Sequence, residues 1–272
     1  MESSTISLGS RAPRDRSRRL ALRASGWLGV LVLAALWQLV AALLNSPVFP
    51  TFTTTVSTAV DVVTGHELTA DVLPSVERAL LGFVISGVLG LVIGLTLGYV
   101  RWLGDAFSTL IDFLRSMPAP LFVPLAIVLF GIGGEMVVII VVTAAVWPVL
   151  LNAYDAARRV EPLYLDAGRA CGLRGPALFR HVLLPATLPS TFAGLRLALS
   201  TSLAVLVVAE ILGAHSGIGY FIEYTQQTFL IPQTYAGVLI LAALGWIFDT
   251  AFLFAERRLL RWERALTGGT HV

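Results

Sequence analysis

An all-α fold, a polytopic membrane bundle of about six transmembrane helices, follows from three properties of this sequence: long apolar runs, scarce charge, and an uneven placement of the charge there is. Of 272 residues, 56% are hydrophobic and 13% are charged, about half of the roughly 25% charged residues that a soluble domain carries. Mean hydropathy is +0.81. So little polar surface cannot cover a soluble globule of this size, and part of the solvent must be lipid. The runs are continuously apolar rather than alternating with period two, which predicts helices and not barrel strands.

Residues 1–25 are rich in Ser and Arg and lack apolar periodicity, so they read as a disordered cytoplasmic tail. The first apolar stretch, 27–44, is long enough to span and is followed by further spans, which predicts a start-transfer helix and not a cleaved signal. Five more stretches lie near 78–100, 106–130, 136–155, 190–212 and 234–255. Each approaches the ~20 residues needed to cross a hydrocarbon core of ~30 Å. The span-bearing domain covers 26–264, with a cytoplasmic excursion at 156–189, and 265–272 form a short cytoplasmic tail.

Arginine sets the orientation, since the chain has no Lys. Six arginines precede the first span, Arg101 follows the second, five lie between Arg158 and Arg180, and four between Arg257 and Arg264. The opposite loops carry Asp61, Glu67, Asp71, Glu77 and Glu223, with Arg78 at a span boundary. By the positive-inside rule both termini and the 156–189 loop are cytoplasmic. Arginines gathered at span ends mark topology rather than a phosphate-tracking face, so nucleic-acid binding is not indicated.

Within the spans, Gly82, Ser86, Gly87, Gly90, Gly94 and Gly98 recur at intervals of about four, the spacing of close helix–helix approach. Pro118, Pro120 and Pro124, and separately Pro148, are expected to kink or interrupt their helices. Ionisable residues at membrane depth, Glu210, Asp249, Arg115 and Arg196, call for interfacial snorkelling or pairing, or for a role in a solute path. Thr143, Asn152, Ser200 and Ser202 are candidate polar residues of a translocation path, with interhelical hydrogen bonding as the alternative. No catalytic constellation and no phosphate-binding P-loop occur, the four His have no metal-ligand spacing, and the single Cys171 cannot form an internal disulfide.

The 156–189 loop has the pattern of a docking element. Glu161-Pro162 opens a short helix; Leu163, Ala167, Ala170 and Cys171 recur on one face, and Gly172 stands where a helix ends in the left-handed conformation. Gly175-Pro176 starts a second short helix, which Pro185 is expected to break. Asp166-Ala167-Gly168, three residues, Gly172, nine residues, then Val182-Leu183-Leu184-Pro185 resembles the signature loop of ATP-binding-cassette (ABC) importer permeases, E-A-A-x3-G-x9-I-x-L-P. The departures are Asp for Glu, Gly for the second Ala and Val for Ile. On helix propensity alone Gly168 weakens its helix by up to ~1 kcal/mol relative to Ala.

The resemblance covers nearly all of the chain after residue 25. Arg115-Ser116-Met117-Pro118-Ala119-Pro120, Phe130-Gly131-Ile132-Gly133, Val208 to Gly213 and Ser216 to Tyr220 resemble the nitrate/sulfonate/taurine branch. It implies a type I importer permease whose coupling loop uses Asp166, Ala167, Gly168, Gly172, Val182, Leu184 and Pro185. It also implies a second permease copy, forming a homodimer, a pair of cytoplasmic ABC ATPases that consume the ATP, an extracytoplasmic solute-binding protein and surrounding lipid. The implied solute is a small anion such as a sulfonate, taurine or nitrate, and the setting is a bacterial cell membrane. This chain itself is expected to bind no cofactor and no metal and to be no enzyme. The alternative is an ion-gradient-driven secondary transporter, which would show internal repeats and a buried ionisable relay.

Overall fold

A computed structural model describes residues 14–261, with side chains from Leu28 onward. Ten helical segments follow one another: α1 (Arg14–Leu44), α2 (Phe52–Thr64), α3 (Leu68–Tyr99), α4 (Arg101–Arg115), α5 (Ala119–Phe130), α6 (Gly134–Arg159), α7 (Pro162–Ala170), α8 (Pro176–Gly213), α9 (Ile218–Gln227) and α10 (Ile231–Leu259). Among the described residues there is no strand. Helix is already present at Arg14, so residues 14–25 of the stretch expected to be a disordered tail continue the first span backwards. Residues 1–13 and the tail at 265–272 lie outside the described residues.

Four helices among the described residues, α3, α6, α8 and α10, are individually long and apolar enough to cross a membrane. The apolar part of α1, Leu28–Leu44, is shorter, and the third expected span is the bent pair α4 and α5, whose axes differ by 82°. The break falls where the prolines are. Pro118 ends the run after Arg115, and Pro120 and Pro124 open a 3-10 turn and then the α-helix from Val123, since a proline ring clashes with the preceding turn and donates no hydrogen bond.

The packed centre is α3 against α6, with α8 closing over both. A Cβ built on Gly90 would lie 2.7 Å from the Val149 Cβ, and one on Gly94 or Gly98 would lie 2.4 Å or 2.5 Å from the carbonyl oxygens of Leu150 and Tyr154. Only glycine lets the two backbones approach so closely, which is where van der Waals packing replaces the hydrophobic drive absent in lipid. The face of α6 that meets this stripe is Val137, Val141, Ala145, Val149 and Ala153, all completely buried.

Two expected helix breaks are absent. α6 is not interrupted at Pro148: the ring removes one hydrogen bond, that to the Ala144 carbonyl, and the helix is held between α3 and α8, where a Cβ on Gly194 would lie 2.7 Å from the Pro148 carbonyl oxygen. Pro185 does not end its helix either, since α8 continues from Pro176 to Gly213. The turn before it, Phe179–Leu183, is widened so that the Leu184 N–H donates to the Phe179 carbonyl five residues back. A π-turn of this kind makes room for the ring. The same device stands at the start of α3, where Leu68–Val72 is a π-turn, the Leu73 N–H donates to Leu68, and Pro74 follows.

Candidate functional site

The signature loop sits between α6 and α8. Pro162 occupies the first turn of α7, where its fixed φ suits a helix start. The helix ends with the Cys171 N–H on the Ala167 carbonyl and with Gly172 at φ +84, a conformation that costs residues with a side chain roughly 1–2 kcal/mol. The Leu173 N–H then returns to the Gly168 carbonyl at 3.0 Å. Leu163 and Tyr164 are 70% and 58% exposed, and Ala167, Ala170 and Cys171 are exposed with them. The face that the sequence groups together is therefore turned outward and carries two large apolar side chains. Asp166 accepts from Arg169 at 2.8 Å on the helix surface.

Gly168 is the point of attachment. It is buried, and a Cβ there would lie 2.7 Å from Leu178 Cδ1 and 2.9 Å from Val182 Cγ2. The glycine that helix propensity marks as a weakness is the position at which α7 seats on the first turns of α8. Leu178 is buried beneath it, and Leu183, fully buried, joins Leu95 of α3 and Ala153 and Ala157 of α6 in one apolar cluster. α7 is thus tied to the α3–α6 centre in two ways, by Gly168 seated on Leu178 and Val182 and by Leu165, which packs against that cluster. Displacing α7 loads the bundle, because packed interiors transmit strain. Val182 faces inward against Gly168, and Leu184 and Pro185 belong to the start of the span. A cleft of about 420 Å³ lies behind α7, lined by Arg159, Glu161, Tyr164 and Ser190 among others.

The four candidate path residues do not converge. Ser202 is fully buried and donates to the Ala198 carbonyl at 2.8 Å, whereas Ser200, two residues away, is exposed, so one face of α8 cannot present both. Thr143 and Asn152 on α6 are partly buried and donate to carbonyls four residues back, on Ile139 and Pro148. Polar side chains satisfied in this way by their own helix are ordinary within apolar helices.

At the opposite end of the bundle is a constellation that sequence spacing does not show. Glu210 near the end of α8 is fully buried. It accepts from Arg78 at 2.9 Å, from the Ser75 hydroxyl at 2.8 Å and from the Gly219 N–H at 2.9 Å. Arg78 also donates to the carbonyl and hydroxyl of Ser216, and Asp71 accepts from the Gly217 N–H at 3.0 Å. A Cβ on Gly217, at φ +117, would fall 2.3 Å from Glu210 Oε1. The Ser216-Gly217-Ile218-Gly219 motif is thereby explained: the Gly219 N–H and the missing side chain of Gly217 accommodate Glu210, while the Gly217 and Ile218 N–H groups donate to Asp71 and the Ser75 hydroxyl and tie α9 to α3. Arg196 and Asp249 form a two-pronged pair between α8 and α10, at 2.9 and 3.1 Å, and Arg115 pairs with Asp112.

Residues 86–262 match the family described as binding-protein-dependent transport system inner membrane component. The chain belongs to that family. It is 32% identical over 250 residues to a putative aliphatic sulfonates transport permease protein of Escherichia coli, covering 91% of this chain and 95% of that one. A protein of Bacillus subtilis with the same description is 31% identical over 249 residues, covering 89% and 90%. A bicarbonate transport system permease protein of Synechococcus elongatus is 30% identical over 190 residues, covering 70% and 68%. The fold is that of a chain of the MetNI methionine ABC transporter in an inward-facing conformation, with TM-score 0.56, 23% identity, and coverage of 68% of this chain and 93% of that one. The protein is thus a membrane-spanning permease subunit of the type I ABC importer family, as its signature loop indicates. This assignment does not favour an ion-gradient-driven secondary transporter.

Proposed function

We propose that this permease forms, with a second copy of itself, the path for a small organic or inorganic anion, of the sulfonate, taurine or nitrate kind. An extracytoplasmic binding protein delivers the solute, and ATP hydrolysed by two cytoplasmic ABC ATPases powers the cycle. The observation that carries the energy-coupling part is α7: a short helix that exposes Leu163 and Tyr164, stands on Gly168 against Leu178 and Val182, and packs through Leu165 on the cluster that holds Leu183, Leu95 and Ala153. Leu163, Tyr164 and Ala167 meet the ATPase, Asp166 orders the helix surface through Arg169, and Gly172 closes the helix so that Leu173 turns back beneath it. Closure of the ATPases displaces α7, and the bundle responds as a rigid body between inward- and outward-facing states. The sulfonate and bicarbonate relatives support an anionic solute. The arginine distribution supports cytoplasmic termini in a bacterial cell membrane.

Substitution at Gly172 cannot isolate docking from backbone strain, because φ there is +84. Ala167→Trp can, since Ala167 is exposed within α7. The expected outcome is that the variant inserts and unfolds like the wild type in detergent but neither retains the ATPase on purification nor supports uptake in proteoliposomes. Uptake near the wild-type rate would reduce the loop to a connector.

A further inference from the structure

We infer that α4 lies flat in the cytoplasmic boundary of the membrane with its apolar face against lipid of that leaflet, so that α5 alone makes the third crossing. The inference rests on the orientation proposed above, in which the end of α3 next to Arg101 is cytoplasmic. At 100° per residue, Trp102, Ala106, Phe107, Leu110 and Phe113 share one side of α4, and Arg101, Asp105, Ser108 and Asp112 share the other, with Thr109 on the edge beside Trp102. Trp102 and Phe113 are 72% and 59% exposed, and α4 has one buried residue, Gly104.

Three observations make lipid the occupant of that apolar side. The first is direction. α5 carries the chain between the two faces of the membrane, and α4 stands at 82° to it, which places α4 close to the membrane plane. The second is roll. Gly104 rests on the bundle, where a Cβ would meet the Leu97 carbonyl and the Tyr154 ring, and Asp105 pairs with Arg158 at the cytoplasmic end of α6, at 2.8 Å. The polar side therefore faces the cytoplasm and the opposite side faces the hydrocarbon.

The third is length. Four residues of 3-10 turn and eight of α-helix span about 20 Å, against a hydrocarbon core of ~30 Å. An interfacial helix sits ~5–10 Å into the headgroup–acyl boundary, which supplies most of the difference. The charges of α4, Arg101 and Arg115 against Asp105 and Asp112, cancel. Apolar burial, not attraction to anionic headgroups, therefore holds it there, and Trp102 takes the amphipathic position that this residue favours at interfaces.

Site-directed spin labelling of the full chain in proteoliposomes tests this, in a Cys171→Ser background because Cys171 is exposed. Single cysteines at Trp102, Ala106, Leu110 and Phe113 are compared with Ser108 and Asp112, and with Val84 as a reference within α3. Oxygen accessibility at the four apolar positions is expected to exceed that at Ser108 and Asp112 by at least about twofold, with an aqueous nickel chelate showing the reverse, at a depth of ~5–10 Å. The pattern is expected to be the same in neutral vesicles and in vesicles with anionic lipid. If the nickel chelate reaches all six positions, or if neither probe reaches the apolar four because a second copy covers them, the inference is overturned. A Val84 label that is not lipid-exposed would overturn the spanning bundle itself. Labelling of Asp112→Cys by an impermeant maleimide from the extracytoplasmic side alone would overturn the orientation.

Discussion

Two arginine–carboxylate pairs of nearly equal length mark the two ends of this bundle, Arg78–Glu210 at 2.9 Å and Arg169–Asp166 at 2.8 Å. Their surroundings separate them. Glu210 is fully buried, with Arg78 13% exposed, and every remaining bond of the carboxylate goes to a hydroxyl or a backbone N–H of another element. The partners at the other end are three residues apart on one helix and more than half exposed. A desolvated charge whose partner is removed costs several kcal/mol, whereas an exposed pair contributes little. The buried pair therefore holds the fold together, and the exposed one leaves the surface of α7 free.

The strongest way to break this contrast is Glu210→Ala. It strips Arg78, Ser75 and the Gly219 N–H of their acceptor at once and is expected to destabilise the protein by about 3–5 kcal/mol, read as a fall in thermal unfolding temperature in detergent. Glu210→Gln, which keeps an acceptor, is expected to lose less. An unchanged unfolding temperature in Glu210→Ala would mean that the buried end is not held by its charges.

Gly168→Ala is intermediate. Helix propensity alone expects a gain of up to ~1 kcal/mol, but the added methyl meets Leu178 and Val182 at 2.7 and 2.9 Å. Overpacking of this kind costs about 1–3 kcal/mol, so the net expectation is destabilisation by about 1 kcal/mol together with weaker ATPase coupling. A more stable and fully coupled variant would show that α7 does not seat there.

The smallest effect on stability belongs to Asp166→Asn. Loss of the i,i+3 pair costs no more than about 0.5 kcal/mol, so unfolding stays near the wild type. Transport-coupled ATPase activity is expected to fall if Asp166 orders the docking surface. If the variant proved as unstable as Glu210→Ala, the distinction between the two ends would collapse.

Much of this was legible in the sequence where the signal is local. The four-residue spacing from Gly82 to Gly98 encodes a close approach whatever the partner, and Pro118, Pro120 and Pro124 lie so close together that no neighbour compensates for all of them. Pro148 and Pro185 show where local reasoning stops. What a proline does to a helix depends on what surrounds it, here the packing of α6 between α3 and α8 in one case and a widened turn in the other. The candidate site divides in the same way. Pro162 and Gly172 are where the spacing puts them, because helix ends obey local rules. Gly168 reverses its meaning once Leu178 is beneath it, and Arg78 and Glu210, 132 residues apart, reveal their pairing only in the fold.

The π-turn at Phe179–Leu183 has a geometric consequence beyond accommodating Pro185. One extra residue in a helical turn rotates everything before it by about 100° relative to everything after it. Leu178, the seat of α7, and the membrane-embedded face of α8 therefore share one helix but not one phase. The turn fixes the angle at which a push on the loop enters the span. Deleting a single residue from 179–183 would keep the composition and the helix while turning Leu178 out from under Gly168, so that the lever would be intact but aimed elsewhere.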